Sequence, residues 1–330
     1  MRIDWNLALR GTVTAGLVTV LGLTALVADA QQATKVPRVG LLRPGSPPDP
    51  YVDAFRQGLR DRGYVEGQTI ALEFRWAEGK SAILSRLAAE LVQVKVDVIV
   101  TQGEESARAA KQATSAIPIV MATSGDPVGA GLVASLARPG GNVTGLSVVT
   151  PDVVSKQLQL LKDAVPKVSR VAMLSVPDNV AMIHTVKEAQ KAARTLGLTI
   201  QPREVRAADD LGPAFDAMLR ERAEALFLFS DTFTITHQRR ILDLTARKRL
   251  PTMCTWLEST ECLLSYGTNR REMFRLAAVY VDKILKGAKP ADLPVEQAAK
   301  FELIVNTRTA KTLGLSIPPS ILGRADQVIQ

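Results

Sequence analysis

The chain is 330 residues long, with 46% hydrophobic and 22% charged residues and a formal net charge of +8. These proportions match a soluble globular protein and exclude a disordered chain, a coiled coil, a collagen-like fibre and a polytopic membrane protein. Two Cys and two His exclude a disulfide scaffold and argue against a multi-ligand Cys/His zinc site.

Residues 1–30 read as an export address. Arg2 and Arg10 make a basic start, Thr12 to Val27 carry no charge, and Ala28-Asp29-Ala30 places small residues where a signal peptidase requires them. The apolar run is shorter than the roughly 20 residues a membrane span needs. No Cys lies near the expected cut after Ala30, and no Arg pair precedes the apolar run. The pattern therefore predicts a Sec-type signal, no lipid anchor and a periplasmic mature protein. Arg2, Arg10, Asp4 and Asp29 cancel, so the mature chain carries the whole +8.

Beyond Ala30, short apolar runs alternate with amphipathic stretches. The first set reads as a strand at 38–42, a helix at 53–62, a strand at 69–76, a helix at 81–95 with Leu84, Leu87, Ala88, Leu91 and Val92 on one face, a strand at 96–100, a helix at 106–113, and strands at 117–121 and 143–148. The second set reads as a helix at 151–165, a strand at 170–174, a helix at 181–196 stopped by Gly197, and a strand at 198–205. A helix capped by Asp209 or Asp210 follows, then a strand at 225–229, a helix at 234–249 and a strand at 251–256. Such alternation builds parallel sheets covered by helices on both faces. The expected fold is α/β, with two Rossmann-like three-layer lobes enclosing a cleft. The tail, with a strand at 264–267, a helix at 271–286, a strand at 301–305 and helical turns at 309–313, is too short for a third lobe. It is expected to complete the other two, which requires more than one crossing between them. The lobes are expected at 36–147 plus about 267–296, and at 151–262 plus about 300–330.

Catalytic patterns are scarce. Gly125-Asp126-Pro127-Val128-Gly129-Ala130-Gly131 lacks dinucleotide spacing, Gly145-Leu146-Ser147 lacks the second Gly of a nucleophile elbow, and His184 with Glu188 is at most half a metal site. No enzyme, no cofactor and no metal are expected. Cys254 and Cys262, eight apart, leave two readings open: a local disulfide or two buried thiols. The cations are dispersed and aromatics are only 5%, so no nucleic-acid partner is expected.

Several stretches together carry a resemblance. They are Phe55-Arg56-Gln57-Gly58-Leu59, Gly63-Tyr64-Val65-Glu66-Gly67, the Gly125–Val133 run, Ser135-Leu136-Ala137-Arg138-Pro139-Gly140-Gly141-Asn142-Val143-Thr144-Gly145 and Tyr280–Pro290. With Leu293-Pro294-Val295-Glu296-Gln297 they resemble the tryptophan/tyrosine-type substrate-binding proteins of ABC transporters, over about residues 36–330. The resemblance implies a type I periplasmic binding protein with three crossings between lobes. It also implies a small ligand, amino-acid-like or aromatic, held in the cleft, and an ABC permease as partner. A monomer is expected. A ligand-sensing partner of a membrane receptor, or an exported α/β enzyme, are the alternatives.

In such folds ligands sit beyond the carboxyl ends of the strands. The candidate contacts are therefore Ser46 after the first strand, and Gln102, Gly103, Glu104 and Ser106 at a helix start able to hold an anion. Further along the chain come Ser124 and Asp126, Asn179 beside Asp178, Asp231 and Thr232, and Trp256 and Glu258. Asp231 can hold a ligand amino group or cap the helix that follows. Trp256 can stack on an aromatic ligand or pack between lobes. Two departures from the family pattern stand out. Glu104-Glu105 replaces a small hydroxyl residue and Pro, which disfavours a ligand carboxylate there. Glu261-Cys262 replaces two glycines, which puts the family's contacts near the second crossing in doubt.

Overall fold

The computed structural model describes residues 36–148, 151–177, 179–259 and 261–330. The expected export signal and Asp178 lie outside the described residues. The remainder, Pro37–Gln330, is one compact unit.

The first alternation runs β1 (Arg38–Arg43), α1 (Pro50–Arg60), β2 (Ala71–Trp76), α2 (Leu84–Gln93), β3 (Val98–Gln102), α3 (Gly103–Ala113), β4 (Ile119–Thr123) and β5 (Val143–Ser147). The second runs α4 (Pro151–Ala164), β6 (Arg170–Ser175), α5 (Val180–Thr195), β7 (Thr199–Glu204), α6 (Leu211–Arg220), β8 (Ala225–Leu228), α7 (Thr232–Thr236), α8 (Gln238–Lys248), β9 (Thr252–Cys254) and β10 (Leu264–Gly267). The tail adds α9 (Arg270–Leu285), β11 (Glu296–Gln297), β12 (Glu302–Asn306), α10 (Thr307–Leu313), α11 (Pro319–Leu322) and β13 (Gln327–Ile329).

Two sheets result. The first is six-stranded in the order β11-β5-β4-β3-β1-β2, the second seven-stranded in the order β13-β12-β10-β9-β8-β6-β7. Every pairing is parallel except β10 with β12. Strands buried on both faces carry continuous apolar runs, as in Val39–Leu42 and Ile119–Ala122. The chain passes between the sheets after β5, after β10 and after β11, which gives the three crossings of a type I binding protein.

Each sheet has a core on both faces. Val52, Phe55 and Leu59 of α1 meet Phe274, Ala277, Ala278 and Val281 of α9 beside β1, β3 and β4. Leu84, Leu87 and Leu91 of α2 pack on the other face with Ala107 and Ala110 of α3. Each fully buried Leu or Phe contributes about 1.5–3 kcal/mol. The contact between α1 and α9 is close because Gly58 has no side chain: a Cβ there would meet the Arg275 carbonyl oxygen at 2.5 Å. The second sheet is sandwiched by cores built on Leu158, Leu161 and Met182 on one face, and on Phe215, Met218, Ile241 and Trp256 on the other.

Three local expectations change. The single helix expected at 234–249 is two, α7 and α8, meeting at His237. A reciprocal box closes the start of α7: Asp231 accepts from the Thr234 N–H, and the Thr234 side chain accepts from the Asp231 N–H. The His237 ring then packs edge-on against Phe233 at 4.6 Å. The strand expected to reach Trp256 ends at Cys254, and the tail contains β11, α11 and β13, which its pattern did not announce. Cys254 and Cys262 are joined in a disulfide with a Cα separation of 6.1 Å.

Candidate functional site

The carboxyl ends of β1, β3, β4, β8, β9 and β10 converge on one cavity of about 760 Å³ between the lobes. This is the ligand position general to open parallel sheets. The strand order puts β1 between β3 and β2 in the first sheet, so the chain winds in opposite directions on either side of β1.

Arg43, the last residue of β1, lines the cavity and is 1% exposed. Its Nε donates to Asp49 Oδ2 at 3.0 Å, and its Nη2 donates to the same oxygen. The guanidinium carbon sits 4.4 Å from the centre of the Phe274 ring and 5.9 Å from that of Tyr51, and the two rings stack at 5.5 Å. Burial holds the Arg43 pKa below its ordinary value, against the opposing pull of Asp49. The Nη1 has no hydrogen-bond partner.

Glu104 and Glu105 stand in the first turn of α3, which has no side-chain cap. Both line the cavity. Glu104 Oε1 accepts the Asp126 N–H at 2.8 Å, and its carboxylate also meets the Gly125 amide. A Cβ on Gly125 would lie 2.5 Å from that oxygen, so the glycine makes room for the carboxylate. Burial raises the Glu104 pKa, and the two amides only partly offset it. Glu105 accepts from the Ser81 hydroxyl at 2.6 Å. Asp126 accepts the Gly129 N–H at 2.8 Å, the turn role open to an Asp before Pro. Ser124 is 1% exposed, faces the cavity, and its Oγ has no partner.

The opposite wall is built by the second lobe. Asp231 caps α7, accepting the Thr234 N–H at 2.7 Å, and Asn179 Nδ2 reaches it at 3.3 Å. Burial raises the Asp231 pKa, and nearby Glu105 of the first lobe adds to the rise. Asn179 caps α5 through the Met182 N–H. Phe229, Phe301, Val153 and Val154 supply apolar surface. Polar contacts bridge the lobes. Arg270 Nη2 donates to Ser230 Oγ, and the Tyr51 hydroxyl interacts with both Arg270 and Glu258. Burial, with Glu258 adding and Arg270 opposing, pushes the Tyr51 pKa up to about 12.

Of the residues expected from sequence, the structure brings Ser46, Gln102, Gly103, Glu104, Ser124, Asp126, Asn179 and Asp231 to one cavity. Ser106 is 1% exposed and does not face it. Thr232 is the first residue of α7. Glu258 stands at the Tyr51 contact rather than on the cavity wall. Trp256 is 2% exposed within the second lobe's core, because β9 ends at Cys254 and the chain turns inward beside the disulfide. The aromatic faces on the cavity are those of Tyr51, Phe229 and Phe301. Sequence reasoning passed over Arg43, Tyr51 and Arg270. A signal existed for the first: Arg43 is a charged residue closing the apolar run Val39–Leu42.

Among the described residues no group of three or more His, Cys, Asp or Glu is placed to hold a metal, and no helix is long and apolar enough to cross a membrane.

A family model described as ABC transporter substrate binding protein matches residues 46–329. The chain is 26% identical over 263 residues to a tyrosine-binding protein of Clostridioides difficile, covering 79% of this chain and 75% of that one. A solved structure from Streptococcus pneumonia, an ABC domain in complex with L-Trp, superposes with a TM-score of 0.83 at 27% identity, covering 89% of this chain and 99% of that one. A conserved domain protein from Vibrio cholerae superposes with a TM-score of 0.83 at 28% identity, covering 89% of this chain and 100% of that one.

Proposed function

Because the chain belongs to the ABC transporter substrate-binding protein family, we propose that its cleft captures a small aromatic amino acid, or a close analogue, outside the cytoplasmic membrane and presents it to an ABC permease. The chain is a solute-binding protein of two lobes, and lobe closure is the event a permease can read. The observation that carries the ligand class is the composition of the cavity wall. Aromatic faces from Tyr51, Phe229 and Phe301 stand beside the carboxylates Asp231 and Glu105 and the buried cation Arg43. A ring, an ammonium and a carboxylate each find a complementary surface there. The tyrosine-binding relative and the L-Trp complex support the same class.

In this reading Ser46, Gln102, Ser124, Asn179 and Asp231 contact the solute, Glu104 shapes the wall, and the protein carries out no turnover. Residues 1–30 act as a signal removed after Ala30, and the mature protein works as a monomer in the periplasm. The test is a thermal-shift screen of residues 31–330 against amino acids, aromatic acids, nucleosides and sugars. A ligand at a hundred times its Kd adds about 2.7 kcal/mol of stability, which is readily seen. L-Trp or L-Tyr is expected to raise Tm. A response to sugars or nucleosides with none to any amino acid rejects the reading.

A further inference from the structure

We propose that Arg43 is the anion receptor of the cleft, with its unpartnered Nη1 taking the carboxylate of the bound solute. The proposal rests on the cleft being the ligand site, and it adds which atom receives which group.

The acidic side chains named on the wall all accept hydrogen bonds from the protein itself. Glu104 takes the Asp126 amide, Asp126 the Gly129 amide, Glu105 the Ser81 hydroxyl and Asp231 the Thr234 amide. Three helix starts on the cavity are likewise filled: Asp49 caps α1, Asn179 caps α5 and Asp231 caps α7. The start of α3 is uncapped, but Glu104 and Glu105 occupy its first turn and repel a second negative charge. What remains open on the described wall is donor capacity. Arg43 and Ser124 line the cavity, and Arg43 Nη1 and Ser124 Oγ are buried without a hydrogen-bond partner. A guanidinium has only donors and does not deprotonate, so Nη1 can be satisfied only by an acceptor. Arg270, by contrast, already donates to Ser230 and interacts with Tyr51.

The geometry of Arg43 suits the task. It ends β1, at the point where the sheet reverses its winding. Asp49 fixes two of its nitrogens and the Phe274 ring covers its face, so the third nitrogen is held in place before any ligand arrives. Ser124 ends two strands away, about 10 Å across the sheet, and so meets a different part of the solute.

The experiment is calorimetric titration of residues 31–330 with matched pairs: L-Trp and L-tryptophanamide, L-Tyr and L-tyrosinamide, L-Leu and L-leucinamide. Each amide keeps the ring or chain and the ammonium but loses the carboxylate charge. Wild type is expected to prefer acid over amide by about 100-fold, the scale of a charge-assisted pair in a dry site. Arg43→Gln should collapse that ratio to less than about 5-fold, and Arg43→Lys should retain part of it. Should Arg43→Gln leave Asp49 unpaired and fail to fold, the double variant Arg43→Gln/Asp49→Asn carries the same measurement. A merely structural arginine would weaken acid and amide together and leave the ratio unchanged, and that result overturns the proposal. So does equal binding of acids and amides by wild type, or binding of none of the three acids. An Arg43-dependent preference seen with L-Leu alone supports the anion receptor while rejecting the aromatic class.

Discussion

Glu104 puts a carboxylate into the wall of a ligand cleft and then ties it to the Asp126 and Gly125 amides. Its pKa is nevertheless raised above 4.5, chiefly by burial. The folded protein therefore keeps this proton to higher pH than the unfolded chain does. The stabilisation that results is fully present below 4.5 and is lost as pH rises through the folded value. Glu104→Gln removes the titration. Its stability relative to wild type should rise between pH 4.5 and 7.5 by about 1.4 kcal/mol for each unit by which the pKa is displaced. Urea unfolding at the two pH values measures this, and a pH-independent difference between the proteins contradicts it. The sequence made Glu104 conspicuous, because two acids opened a helix where the family carries other residues. It did not show which way the side chain turns, since that depends on a loop 22 residues further on. Trp256 left its expected place on the wall, and Arg43 took one that was not expected, for the same reason: burial of a side chain is decided by packing partners distant in sequence.

The pairing of α1 with α9 is where one residue decides an element. Gly58 lets the Arg275 backbone approach, and a Cβ would also meet Ala278 Cβ at 2.9 Å. Gly58→Ala should cost about 1–3 kcal/mol of stability through overpacking, visible as a lower urea midpoint with an unchanged slope. An unchanged midpoint would mean that the two helices separate at no cost. The disulfide is a second local constraint. Removing it with Cys254→Ser/Cys262→Ser should cost about 2–3 kcal/mol by the loop-entropy relation for so short a loop, read as a matching loss in chemical denaturation. Most elements were legible because their periodicity is strong: the α2 face of Leu84, Leu87, Ala88 and Leu91 is the buried face in the structure. The tail was less so. β11 has two residues, α11 four and β13 three, too few for any period to show; β11 and β13 exist because β5 and β12 offer edges.

At the scale of the whole molecule, function lies in the contacts that join the lobes. Tyr51 is the clearest of these, standing in the first lobe and interacting through its hydroxyl with Glu258 in the segment after β9. Tyr51→Phe keeps the stacking on Phe274 and removes only the bridge. It should weaken ligand binding by about 3–10-fold, the worth of one hydrogen bond, with little change in the Tm of the ligand-free protein. Equal affinity for wild type and variant would show that closure does not depend on this bridge. The two-lobe plan itself was readable from the repeated alternation of strand and helix. The tail was expected to divide between the lobes near residues 296–300; β11 joins the first sheet and β12 the second, with only four residues between them.

That late return of the chain has a temporal side. Synthesis proceeds from the N-terminus, and the first sheet's strands through β5 are complete by Ser147. The helix that covers α1 begins only at Arg270, and Tyr64 waits for Asp282, 218 positions later, to accept its hydroxyl proton. One of the helices that cover the first sheet thus arrives after the other lobe has largely been made. In a chain of this design the first lobe cannot complete its core until Arg270–Leu285 has been made.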